Sequence, residues 1–492
     1  MNFIMKILFF ISFSFGLFHY QDILNKSSLS YSGYSNIYAI NRTSDSELIK
    51  LPFRLISIDF GYNYSDFSFN ANWGLEHKIK TLDSAQPINS LIYDLISKTN
   101  VDYKSQFREA YFSFYPSFGE IKYGKQIHSW GAVDIGSPID VLNSIDYYYL
   151  FTDSDETKIG KESLLIDLFY NSFKFEFIFM PKHIPNNLPN NDPDFPIVLP
   201  ASVQDYQFIT QDKKYEYGGY LQYSLSNSDW TAYYFSGYDR NFNLYGANVF
   251  SDDFDINTVT DTVFSYRSTQ MYALSNVSFI GDLTLRSDFA YFETDSGNQQ
   301  ISNRPYSGSD PISDFLDFNT NLASSYFNIA GKYYQYSLQL EYPLPYDIDL
   351  TTQFFGYEKN DIQGEVVDVE LTNFSIYLDG KDFFYPGMGS STATLAKNGV
   401  LFNLTKSLMD DTMEIQLSSL IDTEDKGSLS QLKWTYELFN NTNLSILYYK
   451  GKGNRTKFPD NPETVDIDES LLYPFNAMEN FSHIRAQIQY YF

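Results

Sequence analysis

The chain contains no cysteine. That excludes disulfides, iron–sulfur clusters, cysteine–zinc sites and thiol catalysis together. Basic residues are few, 34 Lys and Arg against 61 Asp and Glu, which leaves a formal charge of −27. Phosphate backbones repel such a surface, so nucleic acid is not expected as a partner. Long apolar runs are also missing: beyond the first residues nothing approaches the ~20 apolar positions of a membrane-spanning helix. Catalytic signatures are absent too. The histidines, His19, His77, His128, His183 and His483, are scattered, with no H-E-x-x-H pair and no G-x-S-x-G elbow. No enzyme, cofactor or metal centre is expected from this chain.

Aromatics, by contrast, are abundant. Tyr (43), Phe (44) and Trp (4) make up 18% of 492 residues, yet polar Ser, Asn, Asp and Gln crowd between them. Length alone suggests about three globular domains at ~150 residues each. Composition argues otherwise, because an aromatic and a polar surface must be kept apart along the whole chain.

The N-terminus reads as a secretory signal. Lys6 precedes the apolar ILFFISF of residues 7–13, and Ser14 and Gly16 place small residues before a cleavage near 16–20. Residues 1–20 are expected to be removed. Residues 21–492 are then a single exported domain.

Alternation dominates that domain, the mark of strands with one apolar face. Phe173, Phe175, Phe177 and Phe179 alternate with Lys174, Glu176, Ile178 and Met180. Tyr334, Tyr336, Leu338, Leu340 and Tyr342 alternate with Tyr333, Gln335, Ser337, Gln339 and Glu341. The last strand carries Ile484, Ala486, Ile488, Tyr490 and Phe492 on one face. Such runs match the ~9–11 residues that cross a membrane at a tilt. Short polar connections fall near residues 64–66, 116–117, 171–172, 226–228, 281–282, 343–347, 409–411 and 440–441, with long Asn/Asp/Ser/Pro-rich segments between them. Short turns alternating with long loops predict a transmembrane antiparallel β-barrel, all-β, of about 18 strands (16–18). An even count puts both termini at the short-turn, periplasmic end.

Register can be read at two hairpins. A turn at 171–172 pairs Leu168 with Phe175 and Asp167 with Glu176. A two-residue turn at 116–117 pairs Phe112 with Ile121 and Tyr111 with Lys122. Both sort apolar and polar residues largely onto opposite faces, which a one-residue slip would mix. So many strands enclose a lumen too wide for side chains to fill, so the apolar face is expected to meet lipid.

The polar face then supplies pore-lining candidates: Glu109, Lys122, Asp167, Lys174, Glu176, Arg286, Asp288, Lys433, Glu437 and Arg485. With Glu120, Glu341, Asp349 and Glu414 on the same face, nine acids stand against five bases, so a mildly cation-preferring pore is expected. Asp167 opposite Glu176 reads as a cation station, or as a pair served by a lumen Lys or Arg from a neighbouring strand. The outer loops are acidic at Asp153, Asp155, Glu156, Asp192, Asp194, Asp252, Asp253, Asp255, Asp466, Asp468 and Glu469. None follows the EF-hand spacing, so loop calcium is conceivable but not expected. Such a rim concentrates cations and deters anions.

One segment is more specific. Arg108, Glu109, Ala110 and Tyr111 are followed by Gly124 and Gln126, by Trp130 and Gly131, and by Asp134, Pro138, Asp140 and Asn143. In this pattern residues 108–143 resemble a hairpin of porin-like bacterial outer-membrane β-barrels, a family of largely unknown function. The G-K-Q strand is distantly similar to alginate-export-type porins. The chain departs by Lys125, where the family prefers Arg, and by its acidic balance. The resemblance implies a diffusion channel or export porin and says little about substrate.

Residues 130–150 leave a strand and lose alternation, with Gly131, Gly136 and Pro138 among aromatics. Irregular backbone at membrane depth is tolerated only when buried in protein or lining a cavity. Trp130, Asp134, Asp140, Asn143 and Asp146 are therefore candidates for a constriction loop, an ordinary outer loop being the alternative. Taken together, these features predict a passive outer-membrane channel for small hydrophilic solutes. The alternative is a structural or surface-binding barrel with a closed lumen; a plugged receptor would need a further ~22-strand, plug-bearing architecture. Expected partners are outer-membrane lipid and lipopolysaccharide, and the barrel-assembly machinery reading Ile488, Tyr490 and Phe492 as an insertion signal. A homo-oligomer is compatible with all of this.

Overall fold

A computed structural model describes residues 27–79, 101–150, 157–189, 195–196, 207–209, 215–251, 257–297, 322–371, 374–460 and 468–492. The signal segment and most of the acidic rim residues, Asp153 to Glu156, Asp192, Asp194, Asp252 to Asp255 and Asp466, lie outside them.

Eighteen strands form one closed sheet. They are β1 (Ser27–Arg42), β2 (Phe53–Tyr64), β3 (Phe67–Ile79), β4 (Val101–Phe114), β5 (Gly119–Gln126) and β6 (Lys161–Tyr170). Next come β7 (Phe173–Met180), β8 (Glu216–Ser224), β9 (Ser228–Tyr238), β10 (Ser268–Ile280), β11 (Leu283–Asp295) and β12 (Ala330–Leu344). The ring is completed by β13 (Ile348–Gln363), β14 (Asn398–Leu408), β15 (Met413–Asp422), β16 (Ser428–Phe439), β17 (Thr442–Lys452) and β18 (His483–Tyr491). Neighbours in sequence pair antiparallel, and β1 closes on β18 from Tyr34↔Tyr491 to Arg42↔His483. The architecture is the transmembrane-type barrel that the alternation predicts.

The short connections stand where the polar turn residues are. Ser65, Asn171, Gly281, Asp347, Asp410 and Asn441 adopt positive φ at their tips, a conformation that Gly, Asn and Asp enter most readily. Ser27 pairs with Tyr64 and Tyr491 with Tyr34, so both described chain ends sit at the short-turn end. The 171–172 hairpin has the expected register, Asp167↔Glu176 and Leu168↔Phe175. The 116–117 hairpin does not. Phe112 pairs with Tyr123 and Tyr111 with Gly124, because the turn is wider, with Gly119 N–H donating to Pro116 O. The slip is two residues, so the faces keep their identity.

Outside, Phe112, Tyr123, Tyr31 and Ile488 stand exposed with many other large apolar side chains. In water such a wall would be an aggregation hazard; against lipid it is the normal outer face of a barrel. Ring closure leaves no sheet edge in the hydrocarbon.

Inside, the long-loop half of the inward face is covered by protein. Ile178, Met180, Phe235, Met271, Phe292 and Tyr333 point inward and pack with Trp130, Ile139, Val141, Leu142, Phe384 and Met388 from loops. A second cluster joins Phe355, Leu401, Leu420, Leu429 and Leu447 to Tyr147, Leu395 and the short helix α1 (Pro474–Asn480) through Phe475 and Met478. Inward residues nearer the short turns, such as Thr405, Gln416 and Thr435, remain polar.

Candidate functional site: the lumen and its infolded loop

Residues 127–160 connect β5 to β6, and their first part crosses the barrel interior. Trp130 Nε1 donates to Glu176 Oε1 on β7 at 2.7 Å. Ala132 and Val133 N–H donate to the Asp288 carboxylate on β11 at 2.9 and 3.1 Å, and Ser137 Oγ does so at 2.7 Å. Asp134 and Gln339 on β12 exchange two bonds, 2.9 and 2.6 Å, and Gln353 on β13 donates to Ile135 O at 2.6 Å. Asp288 thus acts as an anchor in the wall, its oxygens filled by loop donors. Gly131, at φ +99, sits so close to Ser137 and Asp288 that a side chain would have no room.

A second loop comes in from the opposite side. Gln335 on β12 donates to Met388 O at 3.0 Å and accepts from Ser390 N–H at 2.8 Å. Arg267 holds Asp239 at 2.8 Å, Thr269 Oγ1 donates to the same carboxylate, and Arg240 N–H donates to Gly387 O.

The sequence candidates divide into those that reach the pore and those that shape the loop. Asp167 and Glu176 face each other, and Lys174 Nζ lies 3.1 Å from Asp167 and 4.0 Å from Glu176. A lysine of the same hairpin thus stands between them, where the sequence suggests a bound cation or a Lys or Arg from a neighbouring strand. Arg286 bonds Glu341 at 2.5 Å and Ala132 O at 3.2 Å. Lys122 pairs with Glu120 at 3.2 Å, and Glu109 accepts Ile127 N–H at 2.8 Å. Lys433 and Glu437 share the inward face of β16 with Gln431, Lys433 opposite Leu447 and Glu437 opposite Asn443; Arg485, buried, lies over the Tyr38 ring. Among the loop candidates, Trp130 and Asp134 touch the wall. Asp140 instead binds Lys158 at 2.5 Å, Asn143 clips His128 N–H and Ile159 O, and Asp146 caps the turn Tyr147–Tyr149.

Two charged groups escaped the sequence reading. Glu216 on β8 takes Lys161 at 3.2 Å, Arg240 at 2.6 Å and His183 at 2.9 Å, all buried; Arg240 then donates to Val141 O and Leu142 O. This cluster ties three loops to the wall, and its members are too far apart in sequence to be grouped by spacing. The other group, Arg54, Lys104 and Arg108, was lost to β-bulges. Register shifts at Arg54/Ile56 in β2 and opposite Asn72/Trp73 in β4 add one residue each, reversing the side-chain parity beyond them.

His128 Nε2 lies 2.9 Å from Ser163 Oγ, but Ser163 also accepts from Gln126 and both partners are buried. It is a packing contact. Burial, aided by Lys122, Lys158 and Lys161, lowers His128 from 6.5 to about 3; burial lowers His183 to about 4 against the pull of Glu216. The unfolded chain takes up these protons near 6.5 and the folded one does not. Stability is therefore complete above pH 6.5 and falls below it, by about 1.4 kcal/mol per pH unit per histidine until the folded value is reached. The temperature of heat-modified migration should drop between pH 7.5 and 5, and less steeply in His128→Gln.

No family model and no curated protein sequence matches the chain. Solved structures do. OccAB4 of Acinetobacter baumannii aligns over 95% of this chain and 98% of its own, at 8% identity and a TM-score of 0.45. OccK8 (OprE) of Pseudomonas aeruginosa aligns over 95% and 98%, at 8% identity and 0.44. The outer membrane channel DcaP of A. baumannii aligns over 95% and 98%, at 10% identity and 0.40. The architecture above rests on the chain's own strand pairing.

Proposed function

We propose that this chain is a porin-like outer-membrane channel through which small hydrophilic solutes diffuse passively. The observation that carries the reading is a loop hydrogen-bonded across the interior of a closed, lipid-faced barrel, anchored on Asp288 and Gln339. A loop held at mid-wall by polar side chains narrows a water-filled passage without blocking assembly of the ring. In this reading the short turns and both termini face the periplasm, lipid and lipopolysaccharide surround the wall, and the assembly machinery receives β18. Proteoliposome swelling tests it: small sugars should enter vesicles containing the folded protein faster than large ones, and equal exclusion of all sugars would contradict it.

The acidic rim and the nine acids against five bases on the inward face make the channel modestly cation-preferring. That preference should fade with salt, since the Debye length falls from ~10 Å at 0.1 M to ~3 Å at 1 M. A reversal potential favouring anions at low salt would oppose it. The two apolar clusters packed inside the long-loop half support the second reading, a closed structural or surface-binding barrel. Vesicles that contain folded protein yet exclude every sugar would favour that one.

A further inference from the structure

We propose that the inward face of β2–β5, on the short-turn side of the infolded loop, binds a neutral polyhydroxylated solute, a small sugar. The inference rests on the channel reading for the route by which that solute arrives. Strand register builds the site. Gly61 of β2, Asn70 of β3, Tyr111 of β4 and Gly124 of β5 are successive cross-strand partners. The next row toward the loop is Asp59, Asn72 and Glu109, and Glu109 accepts Ile127 N–H where the loop departs. Tyr111 and Gly124 both belong to the segment set apart in the sequence, and the constriction leaves them without a role.

The two glycines open the wall on either side of Asn70 and Tyr111. At Gly124, φ +137, a side chain would meet Ala110 O at 2.4 Å and Tyr111 Cα at 2.7 Å, so that place stays empty. The Tyr111 ring between them is half-buried. Lys122, held by Glu120 at 3.2 Å, stays 6.0 Å from the ring centroid, too far to cover it.

A sugar offers C–H faces and a rim of hydroxyls, each able to donate and accept. The aromatic ring suits the faces, and fixed oxygen acceptors suit the rim. Asn72 Nδ2 donates to Ser57 Oγ at 3.0 Å and to Asp59 Oδ1 at 2.7 Å. Because the amide is planar, its Oδ1 faces away from β2. That atom has no hydrogen-bond partner, although Asn72 is only 7% exposed. A buried acceptor left open costs stability, and a ligand hydroxyl satisfies it. Asp59 is exposed to the lumen beside it. Asn70 donates to Ser68 Oγ at 3.2 Å and keeps its own Oδ1 at the Gly61 opening. Lys122 on one side opposes a cationic ligand and Asp59 on the other an anionic one; a neutral solute meets neither repulsion.

The test uses the full-length barrel refolded in a detergent without a sugar headgroup. Saturation-transfer NMR titration with D-glucose and with maltose should show saturable binding, while succinate and lysine should show none. Tyr111→Ala should weaken sugar binding by about threefold or more, and Tyr111→Phe, which keeps the ring, should restore most of it. Asp59→Ala, at an exposed side chain that leaves folding intact, should weaken binding by about tenfold. Gln416→Ala, on the far wall, should leave it unchanged. Vesicles that exclude sugars although the sugars bind would contradict the passage and support the site. Vesicles that admit sugars without saturable binding would keep the passage and overturn the site. Saturable lysine binding without sugar binding, or equal affinity in Asp59→Ala and Gln416→Ala, also overturns it.

Discussion

Ile488→Asp should sharply reduce the yield of folded, heat-modifiable barrel, while Gln487→Asp next to it should fold normally. Ile488 stands exposed on the outer wall, between Leu444 of β17 and Ile37 of β1. A charge on the lipid face costs up to ~2–4 kcal/mol near the midplane, somewhat less for an acid. The position is also the closing seam. Strands β1 and β18 meet there, with Gly33 and Phe492 exchanging backbone bonds at 2.9 and 3.0 Å, so a defect in β18 prevents closure and leaves two edges open. Gln487 faces inward opposite Ser445 and Tyr38, where an added carboxylate stays out of the lipid. Equal folded yields, read as the fraction migrating fast before heating, would refute the assignment of faces.

Replacing residues 133–148 with a short Gly/Ser linker should raise single-channel conductance and admit larger sugars. The replacement removes the Asp134–Gln339, Ile135–Gln353 and Ser137–Asp288 bonds that hold the loop across the interior. Strand pairing from β5 to β6 is untouched, because Gly119↔Leu168 through Gln126↔Lys161 lies outside the exchange. Closing a shorter loop changes little, ~0.6 kcal/mol per doubling of length. Loss of Ile139, Val141 and Leu142, all fully buried, is the larger effect, at about 1.5–3 kcal/mol for each large side chain. The variant should therefore fold, with a lower unfolding temperature and a wider pore. A folded variant whose conductance matches the parent would contradict the constriction.

The barrel was legible because its signal is local. Alternation in β7 and β12, and turn residues such as Asn171 and Gly281, specify strands and their order without reference to anything distant. The 171–172 register followed from the same logic. The 116–117 register failed by two because Tyr115 and Phe118 belong to the turn, which no alternation of faces can reveal. Arg54 and Arg108 were not legible as inward residues for a related reason: a bulge reverses parity and leaves no mark in composition. The infolded loop was half legible. Broken alternation and glycine at 131 signalled irregular backbone, but its partners Asp288, Gln339 and Gln353 lie more than a hundred residues away. The Glu216 cluster, assembled from β6, β8 and two loops, was hidden on the same ground.

The most direct test of the channel is the current through the refolded protein in a planar bilayer. Step-wise, ohmic openings are expected, and their size should grow when residues 133–148 are replaced. Inserted, correctly folded protein that passes no current in either form would contradict it and leave a closed barrel.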